Sequence, residues 1–236
     1  MIETTVIESR ILSELRPLWV QPTLVSDSPE AMLILLDGEY YIDHIAASEL
    51  IANLQTQSLI PSTAVVYVSH LDVATRWMNS FCQSAFAEFL SREIKPWAWQ
   101  RFSISDQSVP CYLGGLSLTG LAAAHAVLTR PQNFAGALCQ SASFWWDDCC
   151  FIEDVKRSTS ASKRFRITCG TEETQDYVEH GMNLIQRTSQ LKANQATCEA
   201  LLAKGHLVSY EEFEGGHTIA SWKRDLPSSL TTLLNG

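Results

Sequence analysis

The run Met32-Leu33-Ile34-Leu35-Leu36 is apolar at every position and stops at Asp37-Gly38. A strand with one wet face would alternate. An unbroken apolar run closed by a turn dipeptide predicts a central parallel strand, buried on both faces. Residues 64–68 (Ala-Val-Val-Tyr-Val) repeat the pattern, and residues 109–113, 134–139 and 166–169 read as further strands. Between them, residues 41–55, 81–94 and 121–128 carry the apolar spacing of helices. Residues 179–204 read as mostly helical with a break near Thr188. Residues 208–213 alternate as a late strand, and residues 222–234 read as a closing helix interrupted at Pro227. Residues 1–22 alternate weakly and predict edge strands. This alternation of strands and helices predicts an α/β fold, a mostly parallel sheet with helices on both faces, in one domain over residues 1–236.

The chain has 236 residues, 46% hydrophobic and 18% charged, enough to build a sizeable core. Its net charge of −9, with no Lys/Arg block, argues against a nucleic-acid partner, whose phosphates require clustered cations. No apolar run approaches the length of a membrane span. The start, Met1-Ile2-Glu3-Thr4-Thr5, lacks the basic and apolar regions of a signal peptide, so a cytoplasmic location is expected. There are seven cysteines, two of them adjacent at Cys149-Cys150, with no CxxC pair and no His cluster at zinc spacing. They read as reduced, mostly buried thiols, with no metal site and no cofactor expected.

Chemistry enters at Gly115-Leu116-Ser117-Leu118-Thr119-Gly120, between an apolar strand and an apolar helix. A serine at a glycine-flanked strand-to-helix turn has the layout of a nucleophile elbow. The usual pattern is G-x-S-x-G; here the second glycine comes one place late and Thr119 holds its position. A serine hydroxyl needs a base, and His217, on the Gly215-Gly216 turn after a late strand, is the best candidate. His125 lies within the apolar elbow helix, His44 and His180 read as exposed helix positions, and His70 precedes the serine. Glu173, in the loop after the strand ending near Gly170, is the chosen acid, with Glu172 and Asp176 as rivals. Serine, acid and histidine then follow in the chain order of an α/β-hydrolase. An oxyanion hole would draw on the N–H of Leu118 and a second N–H from the loop after an early strand, at Glu39.

Five stretches make the pattern specific: residues 35–40 (Leu-Leu-Asp-Gly-Glu-Tyr), 72–76, the elbow, 140–146 (Gln-Ser-Ala-Ser-Phe-Trp-Trp) and 215–222 (Gly-Gly-His-Thr-Ile-Ala-Ser-Trp). With them the chain resembles the enterochelin (ferric enterobactin) esterases, within the broader esterase D-like α/β-hydrolase family, over roughly residues 30–225. The resemblance implies hydrolysis of the ester bonds of a catecholate siderophore trilactone, with iron arriving on the substrate. It also implies similarity to the short members, without the extra N-terminal domain of the longer ones. Two departures stand out. Thr119 replaces the first glycine of the family's G-x-S-x-G-G, and Trp77-Met78 follows Arg76 where the family continues Glu-Leu. Arg76 is a candidate to bind an anionic substrate and Trp222 to stack on an aromatic ring. Trp145 and Trp146 read as structural. A general carboxylesterase or thioesterase, and a non-catalytic binding protein on a degenerate hydrolase scaffold, remain the rival readings.

Overall fold

The computed structural model describes residues 2–235 apart from 27, 107 and 181–183. In chain order the elements are β1 (Glu3–Ser9), β2 (Glu14–Gln21), β3 (Ala31–Leu36), α1 (Ala47–Thr56), β4 (Thr63–Val68), α2 (Val73–Ser80) and α3 (Ser84–Phe89). They continue with α4 (Lys95–Arg101), β5 (Cys111–Leu116), α5 (Leu118–Thr129), β6 (Gly136–Gln140), α6 (Trp146–Arg157) and β7 (Arg164–Gly170). The last are β8 (Val178–Glu179), β9 (Ile185–Gln186), α7 (Gln190–Ala203), β10 (Leu207–Phe213) and α8 (Ile219–Asn235). Wider π turns at Tyr40–Ile45 and Leu90–Ile94 lead into α1 and α4.

One eight-stranded sheet runs β1-β2-β4-β3-β5-β6-β7-β10. The β1–β2 and β2–β4 pairs are antiparallel and every other pair is parallel. The unbroken apolar run of β3 divides its side chains between two cores. Met32, Ile34 and Leu36 pack with α3, α5 and α6, while Leu33 and Leu35 pack with α1 and α8. This two-sided burial is why the strand does not alternate in polarity.

The chain leaves β3 for β4 on one side and returns to β5 on the other, so the strand order reverses between β3 and β5. Such a switch point opens a crevice at the carboxyl ends of its strands. Asp37 follows β3 and Ser117 follows β5 at this switch point, with Asp37 buried and Ser117 lining the cleft.

Two expected elements differ. The stretch 179–204 is not helical throughout: β8 and β9 form a short antiparallel hairpin, and the helix starts only at Gln190, capped by the Ser189 side chain. The break expected near Thr188 is the helix start itself. At the other end, Pro227 does not interrupt α8. Trp222, Leu226, Leu230 and Leu233 bury one stripe of this helix, and that burial outweighs the one backbone hydrogen bond a proline removes.

Candidate active site

Ser117 sits between the last residue of β5 and the first of α5, at φ 54° and ψ −121°. A non-glycine residue held there carries strain of about 1–3 kcal/mol, and the surrounding bonds hold it. Its N–H donates to the Gln140 carbonyl at 2.8 Å, and its carbonyl accepts from Ser143 N–H at 3.0 Å. The turn is possible because Gly115 is bare: a Cβ there would lie 2.3 Å from the Thr119 carbonyl. Thr119 lies in the right-handed first turn of α5, so it takes no share of the strain. Its hydroxyl instead donates to Asp37 Oδ2 at 2.8 Å and accepts from Leu116 N–H at 3.1 Å. The residue that breaks the usual elbow pattern therefore fastens the elbow to the end of β3.

His217 Nε2 is 2.9 Å from Ser117 Oγ, and its Nδ1 is 2.6 Å from Glu173 Oε2. The second carboxylate oxygen accepts from Ser141 Oγ at 2.6 Å and from Gly170 N–H at 2.8 Å. Glu173 is buried, whereas the His217 side chain is 41% exposed. Of the three carboxylates considered in the sequence, only Glu173 meets the imidazole. Glu172 lines the cleft, and Asp176 pairs with Lys192 and accepts from Ser189 N–H. The relay thus runs from a buried, doubly anchored carboxylate to an open serine, the arrangement that holds an imidazole in one tautomer.

Trp222 is 5% exposed and does not line the cleft. This corrects the expectation that it stacks on a substrate ring. Its indole N–H donates to Ser141 Oγ at 2.9 Å, and its ring meets the His217 ring edge-on at 4.8 Å. It is buried because α8 is tied down behind it: Gln140 donates to the Trp222 carbonyl at 3.0 Å and to Asp225 at 2.6 Å. Trp222 therefore supports both Glu173, through Ser141, and His217, through ring contact.

Arg76 also departs from its expected role. It borders the cleft, but its guanidinium grips Asp37 through Nε at 2.8 Å and a terminal nitrogen at 2.6 Å. Only 12% of the side chain is exposed. Its charge is spent on a buried carboxylate and is not free for an anionic ligand. Burial alone would raise the Asp37 pKa, but Arg76 and His70 outweigh it and hold the carboxyl below its ordinary range. His70 lies 3.2 Å from Asp37 and 3.1 Å from Glu39, off the line of a good hydrogen bond to either. The paired carboxylates raise its pKa to about 9. Glu39 turns its carboxylate to Ser69 Oγ and to His70 N–H at 3.0 Å, away from the cleft.

The relay opens onto a cleft of about 440 Å³. Leu118, the expected oxyanion donor, lines it as the first residue of α5, where an N–H has no partner within the helix. Trp77 and Trp145 form aromatic walls, and His180 stacks on Trp145 at 4.7 Å. The sequence placed His180 on a helix and Trp145 among structural residues. The structure puts both at the cleft: His180 because β8 and β9 replace the expected helix, and Trp145 because it lies in the segment between β6 and α6. Ser143, 3.4 Å from Ser117 Oγ, is a further cleft residue whose signal was its place just after β6.

The family model described as "Putative esterase" matches residues 23–233. The iron(III) enterobactin esterase of Dickeya dadantii is 29% identical over 239 residues, covering 97% of this chain and 54% of that protein. The chain spans about half the length of the curated relatives it matches. The enterobactin esterase of Shigella flexneri, crystallised in the presence of enterobactin, superposes with a TM-score of 0.84 at 23% identity. It is covered over 58% of its length and 99% of this chain. An IroE-like serine hydrolase from Shewanella oneidensis gives 0.75 at 20% identity, over 99% of this chain and 80% of that one. At these identities the structures establish the fold, an α/β-hydrolase-like sheet with helices on both faces, as expected from the sequence.

Proposed function

Since this chain belongs to the Esterase family, we propose that it is a serine hydrolase cleaving carboxylic esters, with catecholate siderophore trilactones as its substrate class. The observation that carries the proposal is the unbroken relay Glu173–His217–Ser117, at 2.6 and 2.9 Å, opening onto an aromatic-walled cleft. Similarity to iron(III) enterobactin esterases over nearly the whole of this chain supports the substrate class.

In this reading Ser117 Oγ attacks the ester carbonyl while His217 Nε2 takes its proton. The imidazolium keeps its Nδ1–H on Glu173, which stays ionised throughout. The Leu118 N–H, at the positive end of α5, holds the developing oxyanion, and the Glu39 N–H is the second donor. His217 then protonates the departing alkoxide and deprotonates the water that releases the acyl group. Catechol rings lie against Trp77 and Trp145, and ferric iron enters as cargo on the substrate. A reducing, cytoplasmic setting fits the seven free cysteines.

The test is to compare turnover of a catecholate trilactone, with and without ferric iron, against short aryl esters. The proposal expects the trilactone to have the higher kcat/KM and Ser117→Ala to abolish it. Turnover of aryl esters alone would assign the chain to general carboxylesterases.

A further inference from the structure

The elbow helix carries a second histidine whose setting the esterase chemistry does not use. His125 lies about two turns beyond Leu118 and is 6% exposed, yet its ring enters no hydrogen bond among the described residues. It faces away from the cleft, toward two other segments. One is the turn between α2 and α3, which carries Cys82. The other is α6, which carries Cys150 and, one turn later on the same face, Asp154. The Cys82 sulfur, a His125 ring nitrogen and an Asp154 carboxylate oxygen all lie within 4.8 Å of one another. The Cys150 thiol lies beside that of Cys82, close enough for each to shift the other's titration, and places a second sulfur at the edge of the cluster. None of these four residues lines the catalytic cleft.

We propose that Cys82, His125, Cys150 and Asp154 form a site for one divalent metal ion of the zinc type, pinning α6 and the α2–α3 turn to the elbow helix. Two sulfurs, an imidazole and a carboxylate are the donor set that tetrahedral Zn²⁺ accepts. Metal–ligand bonds of about 2.0–2.3 Å place donor atoms about 3.3–3.8 Å apart in a tetrahedron. For Cys82, His125 and Asp154, closing from 4.8 Å needs only small side-chain rotations, and Cys150 completes the set by turning its thiol in from beside Cys82. Burial lowers the His125 pKa, and the neutral ring is the form that binds metal. Asp154 gives one oxygen to Arg157 at 2.9 Å and keeps the other. The two thiols release their protons as the metal binds.

The backbone around the cluster is held in place independently. Cys82 sits at φ 51°, and Asp147, Asp148 and Cys149 run left-handed just before Cys150, where regular helix resumes. The Phe81 ring stacks on Trp146 at 3.4 Å, bracing the two segments against each other. No local spacing announces the cluster. Its ligands are scattered over positions 82, 125, 150 and 154, and only Cys150 and Asp154 share a helix turn.

The experiment is Co²⁺ titration of the reduced, chelator-stripped protein, followed by Zn²⁺ competition and thermal melting. The expected result is one Co²⁺ per chain, with thiolate-to-cobalt charge transfer and the intense visible bands of a tetrahedral site. Zn²⁺ displaces the cobalt and raises the Tm. Cys82→Ser should weaken binding by more than the roughly 10–100-fold loss typical of outer-shell changes, and Asp154→Asn should weaken it measurably. Cys149→Ser, beside the cluster but outside it, leaves the spectrum unchanged. Circular dichroism confirms folding, and Asp154→Asn carries the result if Cys82→Ser does not fold. The proposal is overturned by an octahedral spectrum, by no stoichiometric binding, or by tetrahedral bands that persist in both ligand variants.

Discussion

His217 and His70 both follow parallel strands and both lie beside carboxylates, yet their surroundings suit them to opposite tasks. His217 meets one carboxylate, on Nδ1, and turns Nε2 to the Ser117 hydroxyl in an open cleft. His70 lies between two carboxylates, Asp37 and Glu39, in a closed cluster that also holds Arg76 and Thr119. With its pKa raised to about 9, His70 keeps its charge at neutral pH and has no free ring nitrogen to accept a proton. The first cluster has a single acid and a free acceptor nitrogen, so it can move a proton. The second is saturated with counter-charges and serves to fix geometry. What suits one ring to proton transfer and the other to bracing is the number of carboxylates at the ring and the presence of a hydroxyl beyond it.

Substitutions that exchange these roles give graded outcomes. The largest effect is expected for Glu173→Gln, which leaves shape intact but removes the charge behind His217. Its kcat should fall by about 10³–10⁴-fold with little change in Tm. Asp37→Asn should do the reverse. It leaves Arg76 and His70 without their shared buried counter-ion, and urea unfolding should show a loss of about 3–5 kcal/mol. Its kcat per folded molecule should stay within about tenfold of the parent, a drop of no more than about 1.4 kcal/mol in transition-state stabilisation.

His70 supplies a third contrast. Its pKa is raised on folding, so its stabilisation is complete below about pH 6.5 and is lost as pH rises through about 9. Urea midpoints across this range should fall by the equivalent of roughly 1–3 kcal/mol, and His70→Asn should flatten that slope. Thr119→Val keeps the side-chain shape but removes one donor from Asp37. Calorimetry should register about 1–2 kcal/mol of lost stability. The smallest change belongs to Trp222→Phe, which loses the hydrogen bond to Ser141 while keeping the ring under His217. Steady-state assays should show kcat lowered by about tenfold.

Much of this was legible in the sequence, for identifiable reasons. The buried runs of β3 and β4 announce a parallel sheet because burial on both faces leaves no other pattern. That Ser117, Glu173 and His217 come together in space follows from their places after β5, β7 and β10. Arg76 and Trp222 were placed near the site, but their tasks were not readable. Whether a guanidinium is free or paired depends on Asp37, 39 positions away in sequence but in hydrogen-bond contact. Whether an indole stacks on a ligand or supports a serine depends on how α8 docks on β6. The β8 and β9 pair, and His180 with it, reads as helix in the sequence because two-residue strands leave almost no periodic signal. Thr119 looked like a defect in the elbow. Only its contact with Asp37 shows it to be a fastening.

The central claim is that Ser117 is a nucleophile activated by His217. Fluorophosphonate labelling of the folded protein, followed by peptide mapping, tests it most directly. The account predicts a single adduct on Ser117, lost in His217→Ala and retained in folded Asp37→Asn. An unlabelled Ser117 in folded protein, or equal labelling with His217 removed, would contradict it.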